Sequence, residues 1–350
     1  MKKYKKEDLK NIEKIGVIMF GLLGDVILRT PVLHALKEIY PNAKMVAFVD
    51  PIGKAVLENN NDVDEIIVID RKKEKNKLRQ NYKKLQAILA LRKEKFDLLV
   101  NLYNGGSSRL MVQFSGARYK LGFCMQKNQK IYNIENKCAE DRLKERQSLY
   151  NYMISIVEPL SDKKFPLKPL FNLDTESLVK MQNLLDASGY ESDKIYLLNM
   201  GASKEDKMLT SEKYFLMIRY IYEKYSYIPA IIANPGQEYL QQELITVYLR
   251  DNDIPYIKLP TLPLVDIASL IKLTKFIITP DTGLMHLAMA FDNYIMTIFT
   301  YTHPIFVDPH NDKFVAVYER FDEDKLYQHQ NISTQNIINA IVILFKKLKS

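Results

Sequence analysis

Two doubly wound, Rossmann-like α/β domains are predicted by three features of the sequence. Short β-branched runs alternate with helical patterns along nearly the whole chain, which is the mark of parallel strands joined by crossover helices. The chain has 350 residues, more than the roughly 250–300 at which a single hydrophobic core stops growing. The alternation is interrupted once, by a Pro-rich and aperiodic stretch from Glu158 to Asp174 (Pro159, Pro166, Pro169), and then restarts. The expected domains are residues 1–165 and 175–350, facing each other across a cleft. The last helix packs back onto this body, with a return to the first domain open to it.

In the first half the strand candidates are Ile15–Phe20, Met45–Val49, Glu65–Ile69 and Asp97–Leu102, with Tyr119–Phe123 a weaker one. Helical patterns such as Thr30–Ile39 and Lys77–Arg92 lie between them. The second series has strands at Ile195–Met200, Pro229–Ala233, Tyr256–Leu259, Phe276–Thr279 and Tyr294–Phe299. Its helices are Ser211–Tyr225, Glu238–Leu249, Leu264–Leu273, Leu284–Ala290 and Thr334–Leu348. In sheets of this kind ligands bind beyond the carboxyl ends of the strands.

Hydrophobic residues at 47% and charged residues at 26% match ordinary globular usage, which excludes wholesale disorder and a membrane-embedded body. No apolar run approaches the roughly 20 residues of a spanning helix, and Ile337–Phe345 reads as a docked terminal helix. The segment Met1–Lys14 is charged throughout and lacks the apolar stretch of a secretory signal, so a cytoplasmic location is expected. Cys124 and Cys138 stand without a CxxC partner or a nearby histidine, and read as bystander thiols rather than a disulfide or zinc site.

The formal net charge of +8 is concentrated. Arg71, Lys72, Lys73, Lys75, Lys77, Arg79, Lys83 and Lys84 lie almost consecutively, and Lys2, Lys3, Lys5 and Lys6 form a second cluster. Such patches attract nucleic acid, anionic lipid or a phosphorylated substrate, although a merely solvated helix surface accounts for them equally well. No nucleic-acid recognition motif or aromatic-basic interleaving accompanies the charge, so nucleic acid is not expected as a partner.

Two loops carry the chemistry, because each follows a buried strand and opens a helix. The first runs from Phe20 to Pro31 and contains Gly21, Gly24 and Asp25. The glycines permit close backbone approach and positive φ, and Pro31 suits the first turn of the following helix. The spacing is not the GxGxxG dinucleotide fingerprint, so nicotinamide and flavin binding are unsupported. Asp25 sits where strand gives way to helix, either as a first-turn acid stabilised by the helix dipole or as a reactive carboxylate. The second loop is Thr279-Pro280-Asp281-Thr282-Gly283-Leu284-Met285-His286. Thr282 and Gly283 would expose backbone N–H groups at a helix N-terminus, a ready site for a pyrophosphate. Asp281 would cap that helix or accept hydrogen bonds from sugar hydroxyls. His286 lies beside the proposed phosphate, where a ligand contact weighs slightly more than a buried packing role.

Gly24-Asp25-Val26 leading to Thr30-Pro31, followed by Pro280-Asp281-Thr282-Gly283-Leu284-Met285-His286-Leu287-Ala288, resembles the ADP-heptose:lipopolysaccharide heptosyltransferase family, glycosyltransferase family 9. The order of elements matches from about Ile15 to Phe345, and the second motif is the more specific. The resemblance implies a GT-B fold and an inverting, metal-independent transfer of a sugar, heptose from ADP-heptose, to a lipopolysaccharide-core or related acceptor. No cofactor is implied beyond the nucleotide-sugar co-substrate. The donor would sit mainly on the C-terminal domain, with the acceptor on the N-terminal one.

Carried over by position, Asp25 falls on the family's catalytic base and Lys207 on the lysine that contacts the donor phosphates and sugar. Ser203 falls on a small hydroxyl residue of the donor site, and Glu238 at or one place from an acid that holds the ribose. Leu262 falls where a backbone group meets the nucleobase, and Asp281, Thr282, Gly283 and His286 complete the pocket. Arg71, Lys72, Lys73 and Arg79 belong to the acceptor-side domain, where they would hold acceptor phosphates or rest on an anionic inner leaflet.

The chain departs from the family pattern at Met19, at Gly21-Leu22, at Met208-Leu209 and at Thr300-Tyr301-Thr302-His303-Pro304. These positions bear on which sugar and acceptor are used rather than on the base or the pyrophosphate loop. In neither half does an Asp-x-Asp pair of the metal-holding kind follow directly on the carboxyl end of a strand candidate, in keeping with a metal-independent reaction. Two other readings remain open: an inactive GT-B protein that binds a nucleotide sugar, and a GT-B sugar-nucleotide epimerase.

Overall fold

The computed structural model describes residues 3–72, 74–103, 105–123, 130–134, 136, 148–307, 311–322, 325 and 327–349. Lys73, Cys124 and Cys138 lie outside the described residues. The chain divides into two compact units, Met1–Asn172 and Leu173–Ser350.

The first unit is built on five parallel strands, β1 (Lys14–Ile18), β2 (Lys44–Val49), β3 (Glu65–Val68), β4 (Leu98–Asn101) and β5 (Tyr119–Gly122), in the order β3-β2-β1-β4-β5. Strands β1, β2 and β4 are nearly continuous apolar runs because helices cover both faces of such a sheet. Among the described residues its helices are α1 (Leu23–Ile39), α2 (Pro51–Leu57), α3 (Lys77–Lys93), α4 (Gly106–Phe114) and α5 (Leu149–Ile154). Ile18, Phe20, Val46, Phe48, Leu91, Phe96 and Leu99 share one buried cluster between sheet and helices.

One expectation is corrected here. Helix α1 begins at Leu23, so Pro31 lies inside the helix rather than in its first turn. A proline has no N–H, and the carbonyl four residues before it normally loses its partner. In α1 the Thr30 hydroxyl donates to Ile27 O at 2.7 Å, which supplies the missing bond. The same hydroxyl accepts from the Leu170 N–H at 2.8 Å, tying the end of this unit's chain to α1.

The second unit has six parallel strands, β6 (Ile195–Asn199), β7 (Ile228–Ile232), β8 (Ile257–Lys258), β9 (Phe276–Pro280), β10 (Tyr294–Ile298) and β11 (Phe314–Val317), in the order β11-β10-β9-β6-β7-β8. Its helices are α6 (Thr175–Asp186), α7 (Ser211–Tyr225), α8 (Glu238–Glu243), α9 (Leu264–Leu273), α10 (Gly283–Ala290) and α11 (Thr334–Lys347). Strand β11 was not expected from the sequence, since four residues at a sheet edge are too few for periodicity to declare. The helix expected over Glu238–Leu249 is α only to Glu243 and continues as wider π-helical turns over Leu244–Leu249. The wider winding turns Leu244, Ile245 and Leu249 inward together.

The Ser333 side chain caps α11, whose Ile337, Ala340, Ile341, Leu344 and Phe345 recur at helical spacing and are buried in the core of the second unit. Phe345 stacks on Tyr225 of α7 with ring centroids 3.7 Å apart. Among the described residues no helix is long and apolar enough to cross a membrane.

Candidate active site

In the first unit the strand order reverses at β1, and the chain leaving β1 passes through Gly21 into α1. Gly21 has φ +143°, and a Cβ built there would meet Asp25 Cβ and Oδ2 at 2.7 Å. The missing side chain lets the carboxylate fold back, so that the Leu22 N–H donates to Asp25 Oδ2 at 2.9 Å. Asp25 therefore does satisfy the backbone N–H of the N-cap residue, yet its side chain is still 48% exposed. Gly24 differs from expectation: it lies in the first turn of α1 and does not take positive φ, so the tight turn rests on Gly21 alone.

Asp50 and Tyr103, which the sequence did not single out, brace this loop together with Arg71, which it did. The Gly21 N–H donates to Asp50 Oδ2 at 2.8 Å, and Asp50 accepts Arg71 Nε and Nη2 at 2.7 and 2.6 Å. The Arg71 guanidinium lies 4.4 Å from the Phe20 ring centroid and 4.6 Å from that of Tyr103. Burial opposes its charge, but the hydrogen bonds to Asp50 and Tyr103 more than offset this and hold its pKa above the ordinary arginine value. Arg71 thus braces the loop after β1, whereas Lys72 and Arg79 of the same predicted group are exposed at the surface.

Arg29, one turn along α1 from Asp25, donates to Phe20 O and places Nη2 4.0 Å from Asp25 Oδ1. Its burial lowers its pKa, and Asp25 acts in the opposite direction. Asp50, Arg29 and Tyr103 carry no motif. The only signal available in the sequence was the position of Asp50 and Tyr103 just past strand ends, the region where such sheets bind ligands.

In the second unit the chain runs outward through β6, β7 and β8, then crosses back to place β9 on the other side of β6. The loops after β6 and β9 are joined at this switch point. Lys207 Nζ donates to Asp281 Oδ2 at 2.8 Å, with side-chain exposures of 20% and 13%. Thr282 is the N-cap residue of α10, but neither it nor Asp281 caps the helix with a side chain, which corrects the capping role considered for Asp281. The Thr282 hydroxyl instead lies 3.1 Å from that of Thr279, and Asn199 Nδ2 donates to Thr279 Oγ1 at 2.9 Å. The first turn of α10 therefore begins at Gly283 with no side-chain cap, beside a lysine.

The remaining predicted residues fall around the same sheet edge. Ser203 is exposed in the loop after β6. That loop touches the one after β7 through Gln237 Nε2, which donates to Ala202 O at 2.9 Å. Glu238 opens α8 and accepts the Thr261 hydroxyl at 3.0 Å, which links it to the segment holding Leu262. Its own backbone N–H first, and then Thr261, hold the Glu238 carboxyl below the ordinary range. His286 is buried on α10. Asn199 and Gln237 were not foreseen, because a polar residue such as Asn199 at the end of an apolar run looks like ordinary strand termination and Gln237 stands in a loop without a motif. Among the described residues no group of three or more His, Cys, Asp or Glu is placed to hold a metal ion.

Two doubly wound α/β units of this kind are the architecture of the GT-B fold, and the family comparison makes the chain a glycosyltransferase. The model of glycosyltransferase family 9 (heptosyltransferase) matches residues 85–336, and the chain belongs to that family. It is 24% identical over 294 residues to lipopolysaccharide heptosyltransferase 1 of Campylobacter coli, covering 82% of this chain and 83% of that one. Among solved structures it is similar to a family 9 glycosyltransferase from Veillonella parvula, with TM-score 0.79, 20% identity and coverage of 95% and 98% of the two chains. The ADP-heptose lipopolysaccharide heptosyltransferase II of E. coli gives TM-score 0.75 at 18% identity, covering 96% of this chain and 100% of that one.

Proposed function

We propose that this enzyme transfers a heptose from ADP-heptose to a saccharide acceptor of the lipopolysaccharide core, with inversion at the anomeric carbon and without a metal ion. The observation that carries the reading is the meeting of Lys207 and Asp281 beside the uncapped N-terminus of α10. Backbone N–H groups and a lysine there aim positive charge where a pyrophosphate leaving group develops negative charge. That arrangement supplies the electrostatic stabilisation a divalent ion provides in other sugar transfers.

In this reading the acceptor oxygen attacks the anomeric carbon from the face opposite the leaving group, and Asp25 takes its proton. The bond to ADP breaks as the new glycosidic bond forms, through an oxocarbenium-like transition state. Ser203 and Lys207 contact the donor, Glu238 holds the ribose hydroxyls, the backbone at Leu262 meets the base, and His286 closes the pocket behind the phosphates. Lys72 and Arg79 receive anionic groups of the acceptor. The reaction takes place on the cytoplasmic side.

Calorimetry with ADP and ADP-heptose, with and without magnesium, tests the donor assignment. Acceptor-dependent release of ADP from ADP-heptose tests the transfer. Turnover that proceeds without an acceptor would refute transfer and turn the assignment toward an epimerase or hydrolase.

A further inference from the structure

Helix α3 carries two apolar faces, and only one of them is used by the fold. Ala87 and Leu91 are buried against the sheet. On the opposite side Leu78, Tyr82, Leu85 and Leu89 are exposed by 79%, 61%, 52% and 54%. Their spacing of four, three and four residues puts them in one line down the helix, about 16 Å long at 1.5 Å per residue. A solvent-facing helix surface has no reason to hold three leucines and a tyrosine in register, since scattered apolar residues are normal but an aligned set is not.

The charge on the same helix says what kind of surface would cover this line. Its 17 residues include Lys77, Arg79, Lys83, Lys84, Arg92 and Lys93 and no acidic residue. Lys83 is engaged by Asp70 and Glu74. At 100° per residue, Arg92 falls on one side of the apolar line and Lys93 and Arg79 on the other. A second copy of the chain would bring the same cations against them, and the formal net charge of +8 adds to that repulsion. An anionic bilayer surface supplies both complements, headgroup charge for the flanks and acyl chains for the line. Lysine and arginine stems lie along such an interface with their charges outward, and tyrosine suits its polar boundary.

We propose that α3 is a membrane-docking helix that lays Leu78, Tyr82, Leu85 and Leu89 into the surface of an anionic bilayer. The proposal deepens the reading of a lipopolysaccharide-core acceptor and rests on it, since docking by the unit that contains Asp25 would hold the base near an acceptor confined to the membrane. Because the contact lies on one helix of the first unit, it can be measured without any turnover.

The experiment is co-sedimentation of the full chain with vesicles of phosphatidylcholine alone and of phosphatidylcholine mixed with phosphatidylglycerol, at low and high salt. Binding to the anionic vesicles that weakens with salt is expected. The double variant Leu85→Glu/Leu89→Glu should lose about tenfold or more of it, as removal of buried apolar area from an interfacial helix requires. Both side chains are exposed, so the variant should keep the wild-type unfolding midpoint and ADP affinity. Equal binding to both vesicle types, no binding to either, or undiminished binding by the variant would each overturn the proposal. So would a wild-type dimer in sedimentation that the variant abolishes, because the line would then be an interface between copies. Failure to bind ADP would refute the donor assignment and leave the vesicle result standing, so the two failures are separable.

Discussion

Lys207 Nζ lies 2.8 Å from Asp281 Oδ2, a single ion pair joining the loops after β6 and β9 across the switch point of the second sheet. The pair fixes the lysine in reach of the first turn of α10. A donor pyrophosphate would share or replace the carboxylate as the partner of that ammonium. Lys207→Ala should therefore weaken both ADP binding in calorimetry and turnover. Asp281→Ala strands a mostly buried ammonium, and should lower stability by about 1–3 kcal/mol in urea unfolding.

Asp25 is placed differently, on the rim of the other unit and half exposed. If it is the base, Asp25→Asn should lower kcat by roughly 10²–10⁴, or about 3–5 kcal/mol of barrier, and leave ADP affinity unchanged. The asparagine side chain still offers an oxygen to the Leu22 N–H, so α1 should keep its first turn. Parallel loss of ADP binding and of the unfolding midpoint would show a structural role instead.

Thr30 is fully buried and its hydroxyl both donates to Ile27 O and accepts from the Leu170 N–H. Thr30→Val keeps the shape and removes both bonds. The buried Ile27 carbonyl and the partly buried Leu170 N–H are left without these partners, and a loss of about 1–4 kcal/mol is expected from urea unfolding, since a buried unsatisfied group costs about 1–3 kcal/mol and a partly buried one less.

Gly201 follows β6, and a Cβ there would meet the Asn234 backbone N, Asn234 Cγ and Gln237 Oε1, all at 2.7 Å. Gly201→Ala must push the loops after β6 and β7 apart. Weaker ADP binding is expected by calorimetry, because Ser203 and Glu238 sit on the two displaced loops.

The Glu238 carboxyl is held below its ordinary value of 4.5, first by its own backbone N–H and then by Thr261. A carboxyl whose pKa is lowered on folding contributes stability above its unfolded pKa, and that contribution is lost as pH falls through the lowered value. Ribose recognition by the ionised group should likewise persist to a pH below 4.5. Thr261→Val should move the Glu238 titration upward in a carbon-detected NMR experiment. An unchanged titration would show that the Thr261 hydroxyl does not act on the charge.

Much of the fold was legible because β-branched runs buried on both faces have few other structural uses. The sequence alone located every strand from β1 to β10 within about two residues, as well as α7 and α9, whose apolar positions repeat at helical spacing. It misjudged the start of α1, because proline reads as a first-turn residue and nothing local reveals that Thr30 replaces the lost bond. Strand β11 escaped for want of length. In the candidate site, Asp25 and the loop from Asp281 to Gly283 stood out because they interrupt strand-to-helix junctions with charge and glycine, whereas Lys207 was named only through the family resemblance. Asp50, Arg29, Asn199 and Gln237 did not, since each looks like routine punctuation until its partner is known.

The sequence by itself determined the alternation of strand and helix, the two glycine-marked loops and the family, all of which are properties of neighbours along the chain. Only the tertiary structure decided which loops meet. Whether Lys207 finds Asp281, whether Arg71 turns inward to Asp50, and whether Leu85 and Leu89 face water depend on strand order and helix rotation. Those are fixed by the packing of residues far apart in the chain, where burial of the whole core outweighs any local preference.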